Sequence, residues 1–125
     1  MRIAFTDREL DVMSVLWDLG SATVSDVRRR LDDPLAYTTV LTVLRTLEEK
    51  GYVKHKDEGR AHRYAPTVKR EAAGTTVLRR MLHTVFGGSP ELLLTNLVND
   101  QKLTPKEIDQ LRLLLDDLKP KRRSR

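Results

Sequence analysis

The stretch AYTTVLTVLRTLEEKG, from Ala36 to Gly51, constrains the fold most because it predicts a helix with two different faces. One face repeats apolar side chains at helical spacing, which predicts that it is buried; these are Val40, Val43, Leu44 and Leu47. The opposite face carries small hydroxyls and one guanidinium: Thr38, Thr42 and Arg45, flanked by Thr39 and Thr46. Such a face could enter a groove of a nucleic acid with its amino end first, or it could simply face water.

Length and composition indicate a small intracellular protein. The 125 residues suffice for one ordinary domain, or for a domain of about 65 residues with an appendage that cannot fold alone. The absence of cysteine excludes disulfides, a thiolate nucleophile and a thiolate metal site. The charged start MRIAFTDRE does not resemble a signal peptide, and no apolar run approaches the roughly 20 residues that span a bilayer. We therefore expect a soluble, cytoplasmic protein that does not enter a membrane.

Two short helices are predicted before the opening stretch. Thr6 followed by Glu9 forms the pattern of a capping box, which predicts a helix over about 7–19. Thr23 can cap a second helix over about 24–31, and the link between the two helices could add a short strand. The helix of the stretch that begins at Ala36 is therefore the third, and it follows the second helix after a sharp turn.

A β-hairpin is predicted directly after the third helix. Two segments with strand-like alternation, YVKHK and AHRYA, flank the sequence DEGR, and Gly59 suits the unusual backbone angle of a turn. Pairing outward from this turn places His55 opposite His62 and Val53 opposite Tyr64. Three helices followed by a basic hairpin are typical of a winged helix-turn-helix.

The remainder of the chain reads as leucine-rich helices, with a first helix over 75–86 and later starts at Ser89 and Thr104. Its middle helix is apolar almost all round and should be buried. We therefore expect a mainly α fold with a small β-hairpin: a winged helix-turn-helix over 1–68, a helical dimerisation arm over 69–119 and a disordered basic tail over 120–125. The predicted dimerisation residues are Leu78, Met81, Leu82, Val85, Leu93, Leu97, Ile108, Leu111, Leu115 and Leu118.

Basic side chains cluster in the tail, in the second helix and in the hairpin. The net charge of +5 is a weak signal, because the tail KPKRRSR alone accounts for it. Arg28, Arg29 and Arg30 are consecutive, so a helix cannot aim all three at one DNA strand. We predict that the five polar residues of the third helix contact DNA. The other predicted contacts are Arg28, Lys54, Lys56, Arg60, His62 and Arg63.

Three stretches resemble the penicillinase-repressor and methicillin-resistance-repressor family of bacterial regulators: AYTTVLTVLRTLEEKGYV, HKDEGRAHRYAP and LTNLVNDQKLTPKEIDQLRLLL. The resemblance implies a homodimeric repressor with a winged helix on each half of a palindromic operator. It also implies inactivation by a signal-activated protease that cuts after an asparagine, and Asn96 with Leu97 is the matching pair. Thr46 and Leu97 depart from the arginine and phenylalanine common in the family, and the lack of cysteine excludes the copper-responsive type.

Metal binding and catalysis find little support in the sequence. His55 and His62 could share a metal across the hairpin, but no third ligand is fixed beside them, and a stable zinc site needs three or four. His83 is interpreted as a tolerated residue of a helix interface. No serine, histidine or aspartate lies in a nucleophile elbow or beside a glycine-rich phosphate loop. We expect no metal, no cofactor and no enzyme activity.

These patterns and the family resemblance together predict a homodimeric transcriptional repressor that binds double-stranded operator DNA and is relieved by an upstream signal. The resemblance implies that this signal acts through proteolysis of the arm. Two other interpretations stay open. A winged helix can act as a protein-interaction module, although a basic hairpin beside a hydroxyl-rich helix argues against that. A one-component regulator would sense a ligand with its arm, but the arm's inward positions are almost wholly aliphatic and supply no polar constellation.

Overall fold

The computed structural model describes residues 3–101 and 103–118 and divides the chain into two compact units, 1–80 and 81–125. The tail over 120–125, which we predict to be disordered, lies outside the described residues. The boundary between the units falls inside the fourth helix, whereas the predicted division at 68 and 69 stays a prediction. The elements, in chain order, are α1 (Asp7–Leu19), β1 (Ala22–Thr23), α2 (Val24–Arg30), α3 (Tyr37–Glu49), β2 (Val53–Glu58), β3 (Ala61–Pro66), α4 (Arg70–Thr84), α5 (Pro90–Gln101) and α6 (Pro105–Leu118).

The starts of the first two helices follow from their capping residues. The Thr6 hydroxyl accepts from the backbone N–H of Glu9, whose carboxylate accepts in return from the Thr6 N–H at 2.8 Å. Thr23 and Asp26 form the same reciprocal pair at the start of α2. Each box satisfies two backbone donors that a helix start would otherwise leave without partners. The predicted capping of α1 and α2 is therefore confirmed, and the short strand β1 lies between them.

The sheet has three antiparallel strands in the order β1, β3, β2. Glu58 pairs with Ala61, so that Gly59, with a φ of 62°, and Arg60 form a two-residue turn. His55 consequently lies opposite Tyr64, and Val53 lies opposite Pro66. The predicted pairs of His55 with His62 and of Val53 with Tyr64 are wrong. The last two residues of β2 join the ladder instead of the turn, because short turns with positive φ match the twist of paired strands.

The first unit is organised around the apolar side of α3. Val40, Leu44 and Leu47 are fully buried, as predicted, while Val43 is partly buried at the edge of the same core. They join buried side chains of the other elements: Val12, Met13, Val15, Leu16, Ala22, Val24, Val27, Tyr52, Val53 and Tyr64. Burial of one helix side by all its neighbours fixes which side of α3 remains outside.

Polar contacts connect α1 to the residue after α3 and to the start of α4. The carboxylate of Glu9 is almost fully buried, and both its oxygens lie 2.9 Å from Nζ of Lys50, directly after α3. The indole Nε1 of Trp17 donates to the carbonyl of Val68 at 2.9 Å. Arg70, the first residue of α4, pairs with Asp18 at 2.7 Å, and its guanidinium lies 5.6 Å from the Trp17 ring. The start of α4 therefore packs against α1.

The second unit has no interior of its own. Ser89 and Thr104 cap α5 and α6 as predicted, whereas α4 begins at Arg70, earlier than the predicted 75, because its polar first turn gives no apolar signal. No described residue from 81 to 118 is buried. The helix expected to be buried is exposed in the single chain. Its large exposed apolar residues, with those of α6, are Leu92, Leu94, Leu97, Val98, Leu113, Leu114, Leu115 and Leu118.

We expect Lys50→Ala to destabilise the first unit because it leaves the buried Glu9 carboxylate with only its backbone partner. The expected loss is about 1 to 3 kcal/mol in the free energy of unfolding, measured by urea denaturation. The matched control is Lys54→Ala, since Lys54 is exposed and has no partner among the described residues; its change should stay within about 0.5 kcal/mol. Equal losses in both variants would contradict the role given to Lys50.

Acid should weaken the start of α2. The Thr23 backbone N–H, with the Thr23 hydroxyl and the nearby Arg29 and Arg63, lowers the pKa of Asp26 below its ordinary 3.8. A lowered folded-state pKa stabilises the fold above the ordinary value, and this contribution disappears as the pH falls through the folded-state pKa.

Asp26→Asn should therefore lower the melting temperature at a pH of about 6 and should differ less from the parent chain at a pH of about 3. Asp116→Asn is the control, since Asp116 is exposed and forms no hydrogen bond or ion pair through its side chain among residues 3–101 and 103–118. A difference between Asp26→Asn and the parent chain that stays constant with pH would contradict the assignment.

Candidate nucleic-acid interface

The outward side of α3 carries the predicted polar residues. Thr38, Thr42 and Arg45 are exposed, and Thr39 and Thr46 are partly buried on its flanks. The Thr42 hydroxyl donates to the carbonyl of Thr38 at 2.9 Å, so it presents lone pairs and a methyl group outward. The α3 surface therefore offers acceptors and methyl groups near its start and a cation further along.

Arg45 is an exposed cation in this surface. Within the described ranges, none of the hydrogen bonds or ion pairs engages its guanidinium. Burial raises the pKa of the neighbouring Tyr64, and the positive charge of Arg45 partly offsets that rise. A guanidinium without an internal partner can donate two parallel hydrogen bonds to guanine or to a phosphate.

The hairpin adds three more cations of this kind. Lys54 and Lys56 alternate with residues of the opposite sheet face and therefore project from the same face of β2. Arg60 lies in the turn between β2 and β3. All three are exposed, and among the residues that the structure describes none of them forms an ion pair. With Arg45 they are called the four open cations of α3 and the hairpin.

The side chain of Arg63 is paired with carboxylates of the same chain. Its guanidinium forms two hydrogen bonds with Glu58, at 2.8 and 3.0 Å, and reaches Asp26 at 3.9 Å. The Arg63 hydrogen bond lowers the pKa of Glu58, and the same bond raises the pKa of Arg63. The side chain thus connects the hairpin to the start of α2. Its predicted role as a DNA contact receives no support from this arrangement.

Arg28 and His62 also have partners within the chain. Nε of Arg28 donates to the carbonyl of Leu35 at 2.8 Å, which closes the link between α2 and α3. His62 lies with its Nδ1 2.9 Å from a carboxylate oxygen of Asp57, the residue directly opposite it in the sheet. Sequence periodicity identifies these side chains as outward but gives no indication of such partners.

The remaining face of the hairpin holds both histidines. His55 Nδ1 lies 2.8 and 2.7 Å from the two carboxylate oxygens of Glu48, at the end of α3. The rings of His55 and His62 lie 4.5 Å apart, and Asp57 stands beside them. The expectation that no third ligand lies beside the histidines is wrong, because the corrected register brings Asp57 opposite His62. A two-residue turn at Gly59 would have been the signal for this neighbour.

The predicted arm residues lie on helices, except Val85, which lies in the turn after α4. Asn96 and Leu97, the predicted cleavage pair, are exposed within α5. Of the predicted dimerisation residues, the exposed ones are Leu78, Met81, Val85, Leu97, Leu115 and Leu118, and the partly buried ones are Leu82, Leu93, Ile108 and Leu111. A groove between α5 and α6 is lined by aliphatic side chains and by Arg112. Over the described ranges, no helix is long and apolar enough to cross a membrane.

Comparison with known proteins finds relatives that are transcriptional repressors and regulators. A 26% identical relative, the penicillinase repressor of Bacillus licheniformis, aligns over 94% of this chain and 94% of its own length. The transcriptional regulator BlaI of Mycobacterium tuberculosis is 35% identical over 90% of this chain and 83% of its own.

Among solved structures, the DNA-binding domain of the repressor BlaI is 30% identical and has a TM-score of 0.51, covering 56% of this chain and 88% of that domain. The predicted fold, a mainly helical chain with a winged helix, is thereby confirmed. The family described as penicillinase repressor matches residues 5–117, so the chain belongs to the penicillinase repressor family.

Proposed function

We propose that this protein is a homodimeric transcriptional repressor that binds operator DNA through α3 and the hairpin. The observation that carries the proposal is the set of four open cations, Arg45, Lys54, Lys56 and Arg60, beside the hydroxyl-bearing side of α3. In the same unit, cations with structural roles, such as Arg63 and Lys50, are paired with carboxylates. Cations left without internal partners are suited to the phosphates of a nucleic acid.

The chemistry of α3 suits the major groove. Hydroxyls and methyl groups near its start can contact base edges and thymine methyls, and Arg45 can donate to the two acceptors of guanine. The acidic residues of α3, Glu48 and Glu49, lie at its far end. The Glu48 carboxylate is also engaged by Nδ1 of His55. The helix would therefore enter the groove with its amino end first.

The hairpin would act as the wing, with Lys54, Lys56 and Arg60 against the sugar-phosphate backbone. Contacts of this kind supply affinity and register but little sequence information. A relative whose solved structure is that of a DNA-binding domain supports the same use of this unit. The relatives named above are repressors and regulators, which supports a role without catalysis.

The arm supports dimerisation because its apolar side chains have nowhere to pack within one chain. Six of them are more than half exposed on α4, on α6 and in the turn after α4, including Val85 in that turn at 68% and Leu118 at 70%. Large apolar side chains exposed in this number mark an interaction site, and a second copy of the arm can cover them. A two-fold dimer would place one winged helix on each half of a palindromic operator.

Relief by proteolysis would act through the same arm. A cut between Asn96 and Leu97 would detach the end of α5 and all of α6, which hold Ile108, Leu111, Leu115 and Leu118. The first unit keeps its core, because its buried residues all precede the cut, and Ala73 is the last of them among the described residues. A winged helix would then persist without the interaction that holds two of them together.

The groove of the arm supplies no polar constellation for a sensed ligand, which disfavours a one-component regulator.

Arg45→Ala should weaken operator binding by on the order of 1 to 3 kcal/mol. It should also reduce the difference in affinity between operator and random DNA. The measurement is a titration of fluorescent operator and random duplexes at several salt concentrations. Lys54→Ala should weaken both duplexes alike and reduce the salt slope by about one unit, because one phosphate contact is lost.

Lys106→Ala is the matched control, since Lys106 is an exposed cation of α6. It should change neither the affinity nor the salt slope. Equal losses for Arg45→Ala on both duplexes would make Arg45 a phosphate contact, and an unchanged salt slope for Lys54→Ala would remove the hairpin from the interface.

A chain ending at Asn96 should be a folded monomer that binds the operator weakly. Linked binding of a second half-site raises affinity through effective concentration, so its loss should cost about a hundredfold or more. Mass in solution, circular dichroism and operator affinity provide the measurements. The control is a chain ending at Leu118, which keeps α6 and should remain a dimer. A truncated chain that stays dimeric and binds the operator undiminished would contradict both dimerisation through the arm and relief by cleavage.

A further inference from the structure

The face of the hairpin that carries the two histidines brings together three ligands that metal ions bind. His55, Asp57 and His62 each offer one ligand atom, and these atoms all lie within 4.8 Å of one another. Asp57 and His62 are directly opposite in the ladder, and His55 lies diagonally across from His62 with ring centroids 4.5 Å apart. The three side chains come from two paired strands, so the backbone fixes their spacing.

One of these ligands already has the supporting contact that metal-bound histidines need. Both carboxylate oxygens of Glu48 lie within 2.8 Å of Nδ1 of His55. When Nδ1 donates to this carboxylate, Nε2 keeps its lone pair and can bind a metal. Metal-ligating histidines almost always have such a partner on the second nitrogen, and it orients the ring and raises its basicity. Glu48 therefore acts as a positioning residue.

The donor set indicates which ions would bind. Two imidazoles and one carboxylate suit zinc and the neighbouring divalent transition metals, whereas magnesium and calcium prefer oxygen ligands alone. Donors around a tetrahedral zinc ion lie about 3.4 Å apart, given zinc to ligand distances of about 2.1 Å. His62 Nδ1 now lies 2.9 Å from Asp57, so a bound ion would replace this hydrogen bond. The two side chains are 45% and 79% exposed and can rotate to the required spacing from the present one of at most 4.8 Å. Water would complete the coordination.

We propose that His55, Asp57 and His62 form a site for one divalent transition-metal ion of the zinc class on the hairpin, supported by Glu48. The site goes beyond DNA binding and does not depend on it. A bound ion would replace the negative charge of Asp57 with a net positive one. It would also connect both strands of the hairpin, through His55 and Glu48, to the end of α3.

Zinc uptake by the full chain tests this proposal in the absence of DNA. The chain must carry no histidine tag and must first be freed of metal with a chelator. Titration with zinc chloride, followed by calorimetry or equilibrium dialysis, should show one saturable site per chain, while magnesium chloride should show none. Zinc should also raise the melting temperature of the chain, because it binds the folded hairpin.

Variants distinguish this site from adventitious binding. His62→Ala and the conservative Asp57→Asn should each weaken zinc binding at least tenfold, and Glu48→Gln should weaken it by about tenfold or more through the orientation of His55. His83→Ala is the matched control, because it removes the remaining histidine of the chain and should leave zinc binding unchanged. Circular dichroism of each variant shows whether the fold is retained.

Two results would overturn the proposal: an absence of saturable zinc uptake by the parent chain, or an equal loss of uptake in His62→Ala and His83→Ala. Neither result would bear on operator binding, which is measured separately.

Discussion

The burial of one side of α3 is the constraint on which the rest of the first unit depends. Val40, Leu44 and Leu47 have no exposed surface, and replacing one such leucine by alanine typically costs about 2 to 5 kcal/mol. Because a helix turns by a fixed angle per residue, burying these positions leaves Thr38, Thr42 and Arg45 outside. The surface proposed to read DNA is thus set by the packing of the opposite side, and α1 and the sheet serve to hold that packing.

Electrostatic pairing separates two kinds of cation on this scaffold. Lys50, Arg63 and Arg70 each have a carboxylate partner on another element and help to fix the positions of helices and strands. The four open cations of α3 and the hairpin form no ion pair among the described residues. Exposed pairs contribute little stability one by one. Their arrangement nevertheless determines which charges remain available to a polyanion.

Local signals in the sequence predict much of the fold. Helix starts at Thr6, Thr23, Ser89 and Thr104 follow from short-range hydrogen bonds between residues three positions apart, and the inward side of α3 follows from its period. The hairpin register does not follow in this way. A strand can include or exclude the polar residues Asp57 and Glu58 at similar local energy, and only the turn geometry decides between these alternatives.

The sequence predicts part of the candidate site, namely the orientation of its side chains but not their partners. Which side chains point outward follows from periodicity, and this holds for the residues of α3 and for Lys54 and Lys56. Which of them are already paired depends on contacts distant in sequence: Arg63 reaches Asp26 across 37 positions of chain. The histidine cluster could not be predicted for a different reason: Asp57 lies opposite His62 only in the observed register.

A unit without buried residues has a consequence for how the protein responds to its own abundance. Residues 81–118 lack, in the part of the chain that the structure describes, the interior that would hold them folded alone. Their order must therefore come from whatever covers them, and if that is a second copy, folding of the arm and assembly are one equilibrium. Dilution would then unfold the arm as well as separate the protomers, so the response of repression to protein concentration would be steeper than the DNA contacts alone could produce.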